Sequence, residues 1–315
     1  MKIEDLKPGD VLLCCPDQHS WIGKAIVLIT KGKVSHAAIY VGGENGKPQI
    51  AHSEAHGIVY MPFEEFTVHE PAGFYVMRHN EQTDLQPVLN AVEKYINEKI
   101  PYPYANLGLL GLLILLNRFS KDTIKSRIFY RFASLVAIKL MKKIRDVARH
   151  GKATMICSQF AAQCYTDAGT DYDIKFNKLL LQFGEAKNSA MEMSLFDLLR
   201  SGNESEIDLL DDSESNEILA QEEQIAHDFI QLMEGAEDLS LTNDEVTENK
   251  LSGVSADIVM SLCYLLTGEE PKSVEHASQI IGEFSTNRNF FVTPDDLLSN
   301  TKNLDEKGFF DSAKR

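Results

Sequence analysis

Apolar and polar positions follow two different periods along this chain, and the change of period divides it. The segment from Asp10 to Cys15 (DVLLCC) follows a Pro-Gly turn, and its short apolar run predicts a strand. Ser20 to Thr30 opens on a capping Ser and repeats apolar residues at Ile22, Ala25, Ile26 and Ile29, the spacing of one helix face. SHAAIYV from Ser35, the Gly/Asn-rich GGENGKP and then QIAHSEA predict a hairpin. GIVYM from Gly57 and FYVMR from Phe74 predict two more strands. The first eighty or so residues thus read as a β meander with one early helix.

Beyond that point the helical period takes over. Leu85, Val88, Leu89, Val92 and Ile96 share one helix face. The run LGLLGLLILL at 107–116 is well short of the roughly 20 residues a membrane-spanning helix needs, so it predicts a buried helix. The stretch behind it repeats Ile124, Ile128, Phe132, Leu135, Val136 and Leu140 with Lys and Arg largely between, a second amphipathic helix. TMICSQFAAQCYTDA from Thr154 predicts a capped helix ended by Gly169. Residues 176 to about 285 are acidic and helix-rich with polar breaks, and FVTPDDLLSN at 291–300 returns to strand, Pro turn and short helix.

Charge sharpens this partition. The 315 residues carry 31 Lys and Arg against 47 Asp and Glu, a net −16, which argues against nucleic acid as a partner because phosphate binding needs a basic surface. The surplus is uneven: 118–152 holds 11 bases and 2 acids, whereas 204–250 holds 16 acids and 1 base. A helix with a cationic face can lie on anionic lipid, which makes 107–149 a candidate membrane-facing segment, and the acidic stretch is a candidate partner surface. MKIEDLKPGDVLL lacks the basic and then apolar run of a secretory signal, so the expectation is a cytoplasmic protein, or one delivered to another cell without a cleaved signal. Five cysteines with no CxxC pair exclude a disulfide framework or zinc ribbon and fit a reducing compartment.

The chemistry-bearing residues are few. Cys157 falls near the start of a predicted helix, where free amides and the dipole favour an anion and lower a thiol pKa. His36 stands in a strand of small and apolar residues, where an imidazole must find a partner. A thiol and an imidazole together make an activated nucleophile and its base, and such a base needs an orienting group. His52, Glu54 and His56 alternate on the next strand, so one face of it can supply that group. A metal site from the same residues is disfavoured, because His-x-x-x-His binds zinc when helical and this segment reads as a strand. No cofactor is indicated.

The order KPGDVLLC, IGKAI…TKGKVSHAAIYVG, IAHSEAHGIVYMPFEEF, FYVMR and ICSQFAAQCYTDAG, with TPDDLLSN as a closing segment, resembles the circularly permuted papain-like hydrolases of the NlpC superfamily. The branch it resembles is the YiiX-like one, related to the lecithin retinol acyltransferase group. The resemblance covers residues 5–170 and 293–300. It implies an α+β fold, a small antiparallel sheet or partial barrel with the cysteine helix packed on it. The catalytic domain would comprise 1–175 and 286–315, with an expanded segment at 105–150 and an inserted acidic helical subdomain at 176–285. It further implies Cys157 as nucleophile, His36 as general base and Glu54 as the orienting residue, with His52 as the fallback. Those roles predict a cysteine hydrolase that cleaves an amide bond, in a peptide or a smaller amide, through an acyl-enzyme. Two other readings compete: a lipid-directed acyltransferase or phospholipase acting on an acyl-lipid at a membrane surface, and a non-catalytic binding protein on the same fold.

Overall fold

The computed structural model describes residues 1–17, 19–43, 47–54, 57–98, 123–147, 157–177, 179, 212–235, 248–267, 271–273, 276–277, 279–280, 289 and 292–313. By contacts the chain divides into two compact units. The first comprises Met1–Pro103, Thr154–Gln182 and Asn287–Arg315, and the second Tyr104–Ala153 and Phe183–Thr286.

The first unit is built on an open six-stranded antiparallel sheet. Its strands are β1 (Val11–Cys14), β2 (His36–Gly42), β3 (Gln49–Glu54), β4 (Gly57–Pro62), β5 (Phe74–His79) and β6 (Leu304–Phe310), in the order β4-β3-β2-β1-β5-β6. The predicted hairpin and meander are present. Ser20 caps α1 (Trp21–Thr30), its hydroxyl accepting from the Gly23 amide at 3.2 Å, and Lys31 ends the helix in the left-handed region. Two elements lie outside the sequence expectation. FEEFTVH forms a short helix, α2 (Phe63–His69), and the charged tail segment LDEKGFF adds β6 to the sheet edge.

Period two sorts the sheet's side chains onto two faces. On one, Leu12, Cys14, Ala38, Tyr40, Ile50, Met61, Phe74 and Val76 are buried with Phe63 and Phe66 of α2. Against the sheet lies the cysteine helix α5 (Cys157–Asp167), whose Phe160, Ala161, Cys164 and Tyr165 are fully buried. With α3 (Gln86–Asn97) packed on α5, Cys164 belongs to this core. The Tyr165 hydroxyl donates to Gly9 O at 2.5 Å, which satisfies a polar group that burial would otherwise penalise.

The closing segment TPDDLLSN forms α9 (Pro294–Ser299) behind a capping box in which Thr293 and Asp296 bond reciprocally. Val292 and Thr293 are not in a strand, contrary to the strand expected there. Ser158 on α5 donates to Val292 O at 2.6 Å, and the Lys33 amide donates to Asp295 at 3.0 Å. The segment thereby ties the start of the cysteine helix to the loop that leads into β2.

The second unit is helical. It contains α4 (Thr123–Val147), α6 (Asp212–Ala220), α7 (Glu222–Met233) and α8 (Glu248–Thr267). Residues 105–150, read from the sequence as an expansion of the sheet domain, group here with the acidic helices. The reason is the apolar stripe of α4: Phe132, Leu135, Val136 and Leu140 are fully buried, with Phe132 stacked on Phe229 of α7 at 3.8 Å between ring centres. The basic flank of the same helix meets acidic or polar groups, Lys139 with Glu222 and Arg131 with Gln221. The apolar run 107–116 lies outside the described residues. No helix among the described residues is long and apolar enough to cross a membrane.

One buried ion pair fastens the entry to β1. Asp10, with no exposed surface, accepts two bonds of 2.6 Å from Arg78 of β5 and one of 2.8 Å from the Lys7 amide. Removing one partner of such a pair strands the other charge away from water. Arg78→Met is expected to lower the stability of this unit by about 3–5 kcal/mol in urea unfolding, far more than loss of an exposed pair such as Lys175–Glu81.

Candidate active site

Three strands and one helix start converge at the end of β1. Cys14, the last residue of β1, stands directly opposite His36, the first residue of β2. On its other side β2 pairs with β3, but that register ends at Ala38↔His52, whereas β3 continues along β4 to Glu54↔Gly57. The strands therefore part below this rung, and the Ala37 amide is left out of the ladder. It hydrogen-bonds the sulfur of Cys157, the first residue of α5. The amides of Cys157 itself and of Ser158 also favour the charged form of this sulfur. Cys157 is fully buried, and His36 adjoins the residue that holds it.

The same parting of strands defines the partner of His36. His52 lies diagonally across from it, since Ala38 is the residue opposite His52 and His36 is two residues further along β2. His36 Nε2 and His52 Nδ1 are 3.2 Å apart, with the ring planes at 80°. His52 is packed edge-to-face against Phe66 of α2 and is 6% exposed, and its Nε2 is buried without a hydrogen-bond partner. Two neutral tautomer pairs fit this bond: His36 Nε2–H donating to His52 Nδ1, which leaves His36 Nδ1 as a basic nitrogen, or His52 Nδ1–H donating to His36 Nε2.

Of the residues the sequence singled out, the structure thus brings Cys157, His36 and His52 to one end of the sheet. Glu54 ends β3, and its side chain lies outside the described residues, as does His56. The 3.2 Å bond makes His52, the fallback, a hydrogen-bond partner of His36.

Electrostatics alter the expected resting state. Burial pushes Cys157 up to about 11, outweighing the three amides that favour its thiolate. Burial also lowers His36 to about 4, and burial with the neighbouring His36 and His69 lowers His52 to about 3. At neutral pH the site therefore rests as a thiol beside two neutral imidazoles, in place of the thiolate expected from the helix start alone. Desolvation exceeds the helix-end effect because the sulfur has no exposed surface.

One acidic residue escaped the sequence reading. Glu70, directly after α2, is half-buried at the same end of the sheet, and burial together with Asp17 raises its pKa to about 8. Its charge opposes ionisation of Cys14, Cys15 and Cys157. Only the unforeseen helix α2 would have pointed to it. Among the described residues no group of three or more His, Cys, Asp or Glu side chains is placed to hold a metal ion.

Comparisons with known proteins add little. No protein-family model matches the chain, and no curated protein matches it. Among solved structures, a metalloprotein, YiiX, from Escherichia coli O157:H7 aligns at 17% identity over 51% of this chain and 66% of its own, with a TM-score of 0.32. The alignment thus spans slightly less than two thirds of that protein, and at this score it is no basis for assigning fold or function.

Two outcomes follow from the geometry. Both histidines take up protons near 6.5 in the unfolded chain, but only near 4 and 3 when folded. Their neutral forms thus favour folding at neutral pH, and stability is expected to fall as pH drops from 6.5 towards 3. The urea midpoint of a His36→Asn, His52→Asn double variant is expected to vary less over that window. Second, His52→Ala is expected to slow iodoacetamide alkylation of Cys157 at neutral pH roughly tenfold, a fraction of what a general base contributes. A larger loss in Glu54→Gln would return the orienting role to the carboxylate.

Proposed function

We propose that the chain is a cysteine hydrolase, with Cys157 as nucleophile, His36 as general base and His52 as the group that orients it. The observation that carries this reading is the sulfur of Cys157 held on the amide of Ala37, the residue that follows His36, whose Nε2 lies 3.2 Å from His52 Nδ1. With His36 Nε2–H donating to His52, this half-buried imidazole has one nitrogen tied and the other basic, and together with a thiol at a helix start that is the arrangement nucleophilic catalysis requires.

The pair rests neutral, so charge is created during the attack. As the Cys157 sulfur bonds to the carbonyl carbon, its proton passes to His36 Nδ1, and the new imidazolium keeps its Nε2–H on His52. The carbonyl electrons move to oxygen, where the Cys157 amide at the start of α5 can donate to the oxyanion. Collapse of the tetrahedral intermediate expels the amine, which takes the proton from His36 and leaves a thioester on Cys157. Water, deprotonated by His36, then attacks the thioester, releasing the acid and restoring the thiol. The permuted papain-like fold and the amide substrate, peptide or smaller, are carried by the resemblance of SHAAIYVG and ICSQF in this order. A carbonyl of a lipid or of an acyl donor would meet the same groups, but the apolar stripe of α4 is already buried within its own unit.

The test is labelling of the full chain with a panel of acyl, peptidyl and ubiquitin-type electrophiles, followed by mapping of the modified residue. The adduct is expected on Cys157, absent from Cys157→Ala, and formed roughly 10²-fold more slowly in His36→Ala. Cys157→Ala is expected to keep a wild-type melting curve. Labelling elsewhere, or labelling of Cys157 that is indifferent to His36→Ala, would sink the reading.

A further inference from the structure

The turn after α2 is fastened to the end of β1. The Glu70 amide donates to Phe66 O at 2.8 Å, and the turn it opens closes through the Gly73 amide to Glu70 O at 3.1 Å. Gly73 O accepts from the Cys15 amide at 3.0 Å, and Phe74, the next residue, pairs with Cys14. Gly73 sits at φ +80°, where a Cβ would come 2.4 Å from Phe310 O, so glycine is needed for the turn to lie this close. These bonds fix Glu70 beside Cys14, which itself faces His36 across the β1–β2 pair.

Among the described residues the Glu70 carboxyl meets no Lys, Arg or hydrogen-bond donor, so no neighbouring cation offsets its charge when it ionises. Around it stand Cys14 and Cys15 from β1 and the residue after it, Asp17 from the connection to α1, and Cys157 from α5. His69 precedes it on α2, 3.9 Å from Glu65, and His36 and His52 on β2 and β3 are uncharged at neutral pH. Glu70 is thus an ionisable group at the site for which the hydrolytic steps have no use.

Resting on the assignment of Cys157 as nucleophile, we propose that Glu70 is a positioning residue that adds to the cost of negative charge on Cys157 once ionised and adds nothing to it while protonated. The sign follows from Coulomb's law: a carboxylate raises the cost of a second negative charge on the nearby sulfur, and a neutral acid does not. Burial and Asp17 place the switch near pH 8, so the nucleophile is held back on the alkaline side, where thiols ordinarily gain reactivity.

The test is the rate of Cys157 alkylation by iodoacetamide, an uncharged probe, in the full chain, read by peptide mapping from about pH 6 to about pH 10, either side of the Glu70 transition. Glu70→Gln is expected to match wild type at the acid end and to exceed it roughly threefold or more at the alkaline end, where wild type carries the carboxylate. Glu70→Asp keeps the charge and is expected to retain the alkaline restraint. Asp17→Asn leaves Glu70 in place but lets it ionise at lower pH, so its alkylation rate is expected to fall below wild type between pH 7 and 8, and this variant decides the matter if Glu70→Gln does not fold. Superimposable profiles for wild type and Glu70→Gln, or for wild type and Asp17→Asn, overturn the proposal. Wild-type Cys157 that resists alkylation at every pH overturns the nucleophile assignment itself, and this proposal with it.

Discussion

The site depends on where a ladder of hydrogen bonds stops. β2 must pair with β1 as far as His36↔Cys14, and β3 with β4 as far as Glu54↔Gly57, yet β2 and β3 pair with each other only as far as Ala38↔His52. One further rung would engage the Ala37 amide with β3 and take it from the sulfur of Cys157. Because the rung is missing, a single donor that the sheet leaves over becomes the anchor of the Cys157 sulfur, consistent with the rule that buried amides find partners. The same divergence lets the His36 and His52 rings meet diagonally, with Phe66 closing over His52 from α2. The anchored sulfur and the paired histidines are thus two results of one divergence.

Burial then decides how the site is charged. A helix start is worth up to about 2 kcal/mol to an anion even in a favourable, partly buried geometry, whereas taking a thiolate wholly out of water costs more than that. Cys157 is fully buried, so the second effect wins and its pKa rises despite three favourable amides. Glu70 adds to the rise, and Cys14 is driven up by the same burial and the same neighbours. A site of this kind suppresses the reactivity of a free thiol at rest.

Much of this was legible in the sequence, and the rest was hidden for identifiable reasons. The Ser20 cap, the Gly/Asn connection between β2 and β3, and the helical spacing of Phe160, Ala161 and Cys164 are local signals, and local signals survive into the fold. Period two placed His36 and a polar group of β3 within reach, but period cannot say at which rung two strands separate. It therefore left His52 and Glu54 equivalent; of the two, the described structure shows His52 bonded to His36 at 3.2 Å. β6 escaped because LDEKGFF is charged and mostly exposed, as edge strands are. The helix α2, and with it Glu70, escaped because seven residues carry too little periodicity. The sequence also kept the basic and acidic stretches apart as different parts, whereas α4 buries its apolar stripe against α7 and sets Lys139 beside Glu222. Opposite charge runs far apart in a chain are as consistent with mutual packing as with separate partners.

The identity of the orienting group matters beyond geometry. A carboxylate bonded to His36 Nε2 would favour the imidazolium at rest and draw the proton from Cys157 before substrate arrives. A neutral His52 in the same place engages Nε2 without adding charge, and the low pKa of His36 traces to burial. Two imidazoles 3.2 Å apart also resist double protonation, since the second charge would face the first across a poorly solvated gap. In the proposed mechanism His36 therefore takes one proton, the one released by Cys157 during attack, and gives it up again to the leaving group. A histidine pair thus favours transient over standing charge, which is the state that a buried sulfur at about 11 beside an imidazole at about 4 already implies.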